Sequence, residues 1–376
     1  MNCVLALLSL LVALAMPGPA AAGERWSEQQ ARDWYRDQRW ILGANYIPAT
    51  AINQLEMWQA DSFDPQRIDL ELGWAEAIGM NSMRVFLHDL LWRQDAEGFR
   101  RRIDSFLGIA ARHHIRILFV LFDSVWDPSP HLGPQHSPVP GLHNSGWVQS
   151  PSAAALSDPA QYPRLEEYVK GVVGAFARDP RILGWDVWNE PAYSDKVGGG
   201  YAASEASAKG QRVRALLPEV FAWARAAGAT QPLTSGVWGE DWERATPVSG
   251  TARIQLEQSD VISFHSYDKP PVFERKVIAL SRYHRPLICT EYMARGEGST
   301  FEGTLPLARR YHVGAINWGL VQGKTQTIYP WDSWQKPYDH EPTPWFHDIF
   351  RTDGRPYEPQ ETALIRKMSA TSRPLE

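Results

Sequence analysis

The chain contains almost no cysteine. Its 376 residues include only two, Cys3 and Cys289, and Cys3 lies in an N-terminal segment that we expect to be removed. A single remaining thiol excludes an internal disulfide, and with it the disulfide-rich class of small secreted proteins. Stability must therefore come from an apolar core, and 44% hydrophobic residues are enough to build a large one.

Positive charge is also scarce. The 38 Lys and Arg residues are outnumbered by 43 Asp and Glu residues, which leaves a formal net charge of −5. The densest basic run, Arg100–Arg102, is typical of one solvated turn of a helix. Because nucleic-acid recognition needs a basic face, we exclude a nucleic-acid partner.

Apolar runs long enough to span a bilayer are missing from the sequence. Residues 1–22 contain a shorter apolar run, Val4–Met16, which is followed by two prolines and by Ala20–Ala22. This pattern predicts a secretory signal peptide that is cleaved before Gly23, and the run is too short for a membrane anchor. We therefore expect an exported protein, periplasmic or extracellular, that does not contact the membrane after cleavage and whose mature part is residues 23–376.

The rest of the chain alternates strand-like runs with helical patterns, which is typical of a parallel α/β fold. Most of the strand-like runs are continuously apolar, as expected for strands that are covered on both faces. Their number, eight, predicts a single-domain (β/α)₈ TIM barrel, which we expect to be a monomer. The predicted strands are Ile41–Ile47, Ser82–Leu87, Ile115–Phe122, Ile182–Trp188, Pro232–Trp238, Val261–Tyr267, Pro286–Glu291 and Val313–Leu320.

Several helices have recognisable ends. Asp64 and Pro65 form an N-cap and first-turn signal, and Gly79 ends this helix. Apolar residues at helical spacing predict further helices. These include Phe99–Ala110, Leu165–Phe176, Val213–Ala224, Phe273–Leu280, Phe301–Tyr311 and Trp345–Phe350, and the pattern is weakest near Trp242–Gln258.

Two connections are longer than ordinary barrel turns. They are Asp123–Ser157 and Val321–Glu341, and each follows a predicted strand. Loops that follow strands lie on the face of the barrel where active sites are built. We therefore expect both loops to form walls of a binding site.

Two glutamates stand where predicted strands end. Glu190 belongs to the sequence Trp-Asn-Glu-Pro at 188–191, and Glu291 to Cys-Thr-Glu-Tyr at 289–292. A glutamate at the end of an apolar strand is costly to bury unless it is used. Two carboxyl groups roughly 5–5.5 Å apart across a sugar are what cleavage of a glycosidic bond with retention requires.

The motifs together resemble those of clan A glycoside hydrolases, nearest to family 5, the cellulase and mannanase family. The matching segments are Gly79–Arg84, Trp188–Pro191, His265–Tyr267, Thr290–Tyr292 and Trp318. The resemblance implies a retaining O-glycosyl hydrolase that acts on a carbohydrate by double displacement. It further implies that Glu190 is the acid/base and Glu291 the nucleophile, with no cofactor and no metal.

The same resemblance suggests how the glutamates are supported. Arg84 is the expected cation beside Glu291, and Tyr267 is placed to donate its hydroxyl hydrogen to the same carboxylate. Asn189 would hold the sugar 2-hydroxyl, and Trp318 would offer its indole face to the sugar ring. Five further residues are candidates for substrate binding. His265 lies in one of the matching segments, and His88 and Asp123 follow predicted strands. Trp126 and Trp238 are near predicted loop tips, where they could stack on a sugar.

Three alternative functions remain open at this point. A transglycosylase would use the same two glutamates, and a catalytically silent carbohydrate-binding protein would use the same fold. A metal-dependent barrel hydrolase is conceivable because His131, His136 and His143 share one loop, although their spacing is irregular. The sequence does not choose among glucan, mannan, xylan and galactan. The long loops and the lack of an attached carbohydrate-binding module favour short oligosaccharides or chain ends.

Overall fold

The computed structural model describes residues 23–193, 207–239 and 250–370. The predicted signal peptide lies outside these residues, as does the beginning of the helical pattern near Trp242. All eight predicted strands are present, each shorter than its apolar run. They are β1 (Leu42–Asn45), β2 (Ser82–Phe86), β3 (Arg116–Val120), β4 (Ile182–Asp186), β5 (Leu233–Thr234), β6 (Ile262–His265), β7 (Leu287–Glu291) and β8 (Gly314–Asn317).

The strands form one parallel sheet that closes into a barrel. The order in the sheet is β5-β4-β3-β2-β1-β8-β7-β6, so sequence neighbours are spatial neighbours. The two edge strands meet beyond the end of β5, where Val237 pairs with Phe264 and the amide of His265 donates to the carbonyl of Val237 at 3.0 Å. The predicted (β/α)₈ TIM barrel is thereby confirmed.

Helices fill the connections and cover the barrel. They are α1 (Glu28–Arg36), α2 (Gln54–Trp58), α3 (Pro65–Ala77), α4 (Asp89–Arg112), α5 (Ala153–Ser157), α6 (Tyr162–Ala175), α7 (Ala208–Ala226), α8 (Gly250–Gln258), α9 (Pro270–Ser281), α10 (Phe301–Arg310) and α11 (Pro359–Ala370). As predicted, Asp64 caps α3 by accepting a hydrogen bond from the amide of Arg67. No helix in the part of the chain that the structure describes is long and apolar enough to cross a membrane.

The prediction of a helix at Trp345–Phe350 is wrong. Its apolar residues are buried, but Asp348 has a φ of 48°, which a right-handed helix cannot contain. The backbone instead pairs with other segments, since the amide of Ile349 donates to the carbonyl of Leu320 at 3.0 Å. The last helix, α11, lies further along the chain and was not predicted.

The amino-terminal end of the barrel is closed by apolar side chains. Ile41, Leu118 and Ile288 belong to one buried cluster, which also contains Ala31 and Tyr35 of α1. The N-terminal helix therefore packs against the bottom of the barrel. We therefore expect a functional site at the opposite, carboxyl-terminal end of the strands.

At that opposite end the two long loops are hydrogen-bonded to each other. The amide of Asn144 donates to the carbonyl of Thr325 at 2.8 Å, and the amide of Tyr338 donates to the carbonyl of Gly141 at 3.0 Å. The side-chain amide of Gln326 donates to the carbonyl of Leu142 at 3.0 Å. The loops after β3 and β8 thus form one continuous wall.

Candidate active site

Glu190 and Glu291 meet at the carboxyl-terminal end of the barrel. Glu291 is the last residue of β7, and Glu190 follows β4. One oxygen from each glutamate and one ring nitrogen of His265 all lie within 4.8 Å of one another. Both carboxyl groups are buried. Glu190 has a φ of 43°, a conformation that is uncommon for a residue other than glycine and is frequent at functional sites.

Glu291 is surrounded by donors. The guanidinium of Arg84 donates from Nη1 to Oε1 at 2.8 Å, and the hydroxyl of Tyr267 donates to Oε2 at 2.7 Å. Burial raises the pKa of Glu291 to about 7, while the charge of Arg84 and these two hydrogen bonds oppose that rise. The predicted placements of Arg84 and Tyr267 beside Glu291 agree with these contacts.

Glu190 has much weaker support for a negative charge. Burial raises its pKa well above the usual range, and the neighbouring charges of Glu291 and Asp123 raise it further. Its Oε1 lies 2.9 Å from Nδ1 of His265. Burial, together with the charge of Arg84, lowers the pKa of His265 well below its usual value, so the ring is neutral and adds no positive charge beside Glu190.

The two carboxyl groups are therefore inequivalent. Because Glu291 contacts a guanidinium and a hydroxyl, it loses its proton before Glu190 does. One carboxylate and one carboxylic acid on opposite sides of a pocket can act as a nucleophile and a general acid.

Arg84 is the centre of a buried network that the sequence showed only in part. Its Nε and Nη2 donate to Oδ2 of Asp186 at 3.0 and 2.7 Å. Nη1 also donates to Asn45 at 2.8 Å, and Nη2 donates to Oδ1 of Asn189 at 2.7 Å. The roles of Asp186 and Asn45 were missed. An aspartate inside the apolar run of β4 was the available signal, since a buried carboxylate needs a partner.

Asp123 lies behind Asn189. Its Oδ1 accepts from the side chain of Asn189 at 2.9 Å, and its Oδ2 accepts from the indole of Trp147 at 2.7 Å. Burial raises its pKa to about 6. Because both carboxyl oxygens are occupied, the prediction that Asp123 binds the substrate is replaced by a positioning role for Asn189 and Trp147.

His88 also lies away from the pocket. It is the N-cap of α4, where Nδ1 accepts from the amide of Leu90 at 3.2 Å. Its Nε2 contacts the carbonyl of Gln149 at 2.9 Å. With both ring nitrogens used and the ring fully buried, the prediction of His88 as a substrate-binding residue is wrong.

A pocket lies between the two glutamates. Glu190, Glu291, Asn189 and Trp318 line it from the strand ends, and the loop after β3 supplies the other described residues of its lining. Pockets that combine aromatic rings with a few placed polar groups are typical ligand sites.

The three predicted stacking tryptophans have different surroundings. Trp318 lines the pocket, and its ring is packed edge-on against Phe86 at 5.9 Å. Trp126 also lines the pocket, but Trp334 covers one of its faces with ring centroids 4.4 Å apart. Trp238 stacks on Tyr193 at 5.7 Å and is not among the described residues that line the pocket.

Two sets of side chains contain atoms that could bind a metal ion. Glu190, His265 and Glu291 have the right atoms close together, but the guanidinium of Arg84 lies 2.8 Å from Glu291 and opposes a cation there. The loop histidines do not share a centre. Nδ1 of His143 contacts the carbonyl of Tyr329 at 2.8 Å, whereas the exposed His131 and His136 contact the carbonyl groups of their own neighbours.

Comparisons with known proteins find solved structures that share the fold of this chain. No protein-family model and no curated protein matches the chain. The chain is similar to the solved structure of GH5_18 from Streptomyces cattleya in complex with GlcNAc, with a TM-score of 0.57 and 12% identity over 90% of this chain and 82% of that one.

Two further similar structures are described as a mannanase and a mannosidase. The endo-β-1,4-mannanase from Thermotoga petrophila has a TM-score of 0.56 and 14% identity over 89% of this chain and 77% of that one. The exo-β-1,4-mannosidase Op5Man5 from Opitutaceae bacterium strain TAV5 has a TM-score of 0.56 and 16% identity, over 88% of this chain and 59% of that one. At these identities the likeness concerns the fold, and the resemblance stated from the motifs is confirmed at that level.

Proposed function

We propose that this protein is a retaining β-glycosidase that hydrolyses O-glycosidic bonds by double displacement. The observation that carries the proposal is the pair of buried carboxyl groups, with oxygens within 4.8 Å of each other and unlike surroundings. Glu190 is the acid/base and Glu291 is the nucleophile. A separation this short favours direct attack by a carboxylate, because an inverting enzyme must leave room for a water molecule between carboxylate and sugar.

In the first step Glu190 gives its proton to the oxygen of the departing group. An oxygen of Glu291 attacks the anomeric carbon from the opposite side, so the glycosidic bond breaks as the glycosyl-enzyme ester forms. In the second step the ionised Glu190 takes a proton from water, whose oxygen attacks the anomeric carbon and releases Glu291 as a carboxylate. Both glutamates end in their starting protonation states.

The surrounding residues orient the sugar and the nucleophile. Asn189 is fixed by Arg84 and Asp123, and it is close enough to the glutamates to hold the sugar 2-hydroxyl, a contact that strengthens in the transition state. Trp318 offers an apolar wall for the C–H face of the ring. His265 positions the carboxyl group of Glu190.

The substrate that we propose is a β-linked oligosaccharide or chain end, with β-mannosides the first choice. Similar structures include an endo-β-1,4-mannanase and an exo-β-1,4-mannosidase by their descriptions. The wall formed by the two long loops favours a short substrate over a long polymer.

A panel of 4-nitrophenyl β-glycosides tests the proposal. We expect turnover of at least one of the manno-, gluco-, xylo- and galactosides, and Glu291→Ala should abolish it. Added azide should then restore release of nitrophenol with an α-glycosyl azide as product, because azide occupies the space of the missing carboxylate. A folded wild-type protein that cleaves none of the panel would support a carbohydrate-binding protein instead. Transfer to an added sugar in preference to water would indicate a transglycosylase.

A further inference from the structure

Asn144 is a buried polar residue that the mechanism above does not use. It is 2% exposed and lies in the loop after β3, where it lines the same pocket as Glu190 and Glu291. Its carbonyl oxygen Oδ1 is buried and has no hydrogen-bond partner among the described residues. A buried carbonyl oxygen without a partner is costly, and such groups in native structures call for an explanation.

The backbone of Asn144 is held in place. Its amide donates to the carbonyl of Thr325 in the loop after β8 at 2.8 Å, and its carbonyl accepts from the amide of Trp147 at 3.4 Å. Its φ of 52° is left-handed, a conformation that asparagine adopts more readily than most residues. The side chain is therefore directed by a backbone that both long loops fix.

His143 supplies a second polar group to this part of the pocket. Its Nδ1 lies 2.8 Å from the carbonyl of Tyr329. Since a carbonyl can only accept, the ring hydrogen is on Nδ1, and Nε2 carries a free lone pair. Burial lowers the pKa of His143 to about 4, so the ring stays neutral near pH 7.

The charges around the pocket restrict the ligand. Among the described residues that line it, none is a lysine or an arginine, and two are glutamates. The nearby guanidinium of Arg84 already donates to Asp186, Asn45, Asn189 and Glu291. A uronic acid or a sugar phosphate would find no free cation at the described lining, whereas a neutral sugar offers hydroxyl groups that match an amide and an imidazole.

We propose that Asn144, together with the ring of His143, binds hydroxyl groups of a neutral pyranose ring lying between Glu190, Glu291 and Trp318. This inference rests on the proposed function and adds a specificity-determining residue to it. Asn144 accepts and donates through one rigid amide, so it discriminates between sugars that present a hydroxyl at that point and sugars that do not.

The test is Asn144→Gly, because glycine keeps the left-handed backbone and removes only the amide. With 4-nitrophenyl β-D-mannopyranoside we expect kcat/KM to fall about 10- to 100-fold, since a buried site loses its contact with a substrate hydroxyl. For one of the 3-, 4- and 6-deoxy analogues, the kcat/KM of the variant and that of the wild type should differ by less than about twofold. That analogue lacks the hydroxyl group that Asn144 contacts, so the substitution removes nothing further. His131→Ala, an exposed change in the same loop, is the matched control.

The proposal would be overturned if Asn144→Gly lowered kcat/KM equally on all analogues, or if it left kcat/KM on the parent glycoside unchanged. Calorimetry of methyl β-D-mannopyranoside binding measures the role of Asn144 independently of catalysis. It therefore distinguishes a failure of this proposal from a failure of the proposed function. If the wild type binds this sugar without turning over any glycoside, weaker binding by Asn144→Gly still supports the role of Asn144, and unchanged binding contradicts it. If the wild type neither binds nor cleaves mannosides, the same comparison uses the glycosides of the sugar that the panel selects, and absence of any binding refutes both proposals.

Discussion

At the scale of single residues, the site depends on two identical side chains in unlike surroundings. Glu291 receives hydrogen bonds from Arg84 and Tyr267, whereas Glu190 faces the neutral ring of His265. Pairs of titratable groups whose environments separate their pKa values are the usual basis of acid and base roles in enzymes. The contacts of each carboxyl group therefore determine its role.

Tyr267→Phe tests the role of the hydroxyl that contacts Glu291. On the proposed mechanism kcat/KM rises with pH as Glu291 ionises and falls as Glu190 loses its proton. Removing a donor to the carboxylate disfavours the ionised form, so the apparent pKa of the acid limb should increase by about one unit. A pH profile of kcat/KM measures this shift. Tyr338→Phe, which removes an exposed hydroxyl bonded to Asp332, should leave the profile unchanged, and an unmoved acid limb in Tyr267→Phe would argue against the assignment.

Asp186→Asn tests the buried network behind the site. Asp186 and Arg84 are both fully buried, so Asp186→Asn removes one of the two carboxylates that balance the guanidinium and leaves only Glu291 in that role. We expect the free energy of unfolding in urea to fall by about 3–5 kcal/mol. The exposed pair of Asp353 and Arg355 provides the matched control, since Asp353→Asn should leave stability unchanged. Equal effects of the two changes would contradict the importance of the network.

The sequence located the residues near the strand ends but not their partners. A position at the end of a strand or directly after it predicts the correct face of the barrel, which sufficed for Glu190 and Glu291, whereas Arg84 lies within β2 and was predicted from the resemblance. It does not reveal whether a side chain is already occupied, and this is why the predictions for His88 and Asp123 failed. Asn144 was missed because an irregular loop has no periodicity from which a buried side chain can be inferred.

At the scale of secondary structure elements, strands and long helices follow from hydrophobic patterning. All eight strands were predicted because both faces of a barrel strand are buried and its run is continuously apolar. The error at Trp345–Phe350 has a specific cause. Its apolar residues are buried as those of a helix would be, but Asp348 is left-handed and the backbone bonds to a distant segment. Tertiary contacts of this kind are not visible in local sequence.

Gln326→Ala tests the contact between the two long loops. The Gln326 side chain bonds to backbone groups of Gly141, Val139 and Leu142, so its loss should loosen the wall that holds Asn144. We expect KM to rise about 5- to 10-fold while kcat changes less, because the glutamates are held by other elements. Steady-state kinetics measure both constants.

Asp64→Ala provides the control for this change. It removes the N-cap of α3 and should lower stability by about 1 kcal/mol. The cap is in another part of the structure, so KM should remain that of the wild type. A similar rise of KM in both variants would mean that Gln326 acts through general stability and not through the loops.

At the scale of the whole molecule, the two ends of the barrel differ in their chemistry. One end is closed by an apolar cluster and α1, and the other carries the buried polar groups of the site. The only cysteine of the described residues, Cys289, is buried and free, so the structure depends on packing and not on disulfides.

We propose that the protein is exported, as the pattern in residues 1–22 predicts. Expression of the full chain in a Gram-negative bacterium should therefore yield periplasmic protein whose first residue is Gly23. Intact-mass spectrometry of the periplasmic fraction measures this directly. Protein that stays in the cytoplasm with Met1 and the apolar run Val4–Met16 intact would contradict the prediction.

The central claim is that Glu291 attacks the sugar directly while Glu190 provides and retrieves the proton. Proton NMR in deuterated water, recorded during hydrolysis of the β-glycoside that the panel selects, reports the configuration of the first sugar released. Two successive displacements restore the starting configuration, so the β-anomer should appear first and mutarotate to the α-anomer afterwards. If the α-anomer appears first, water attacks the sugar directly and the proposed role of Glu291 is wrong.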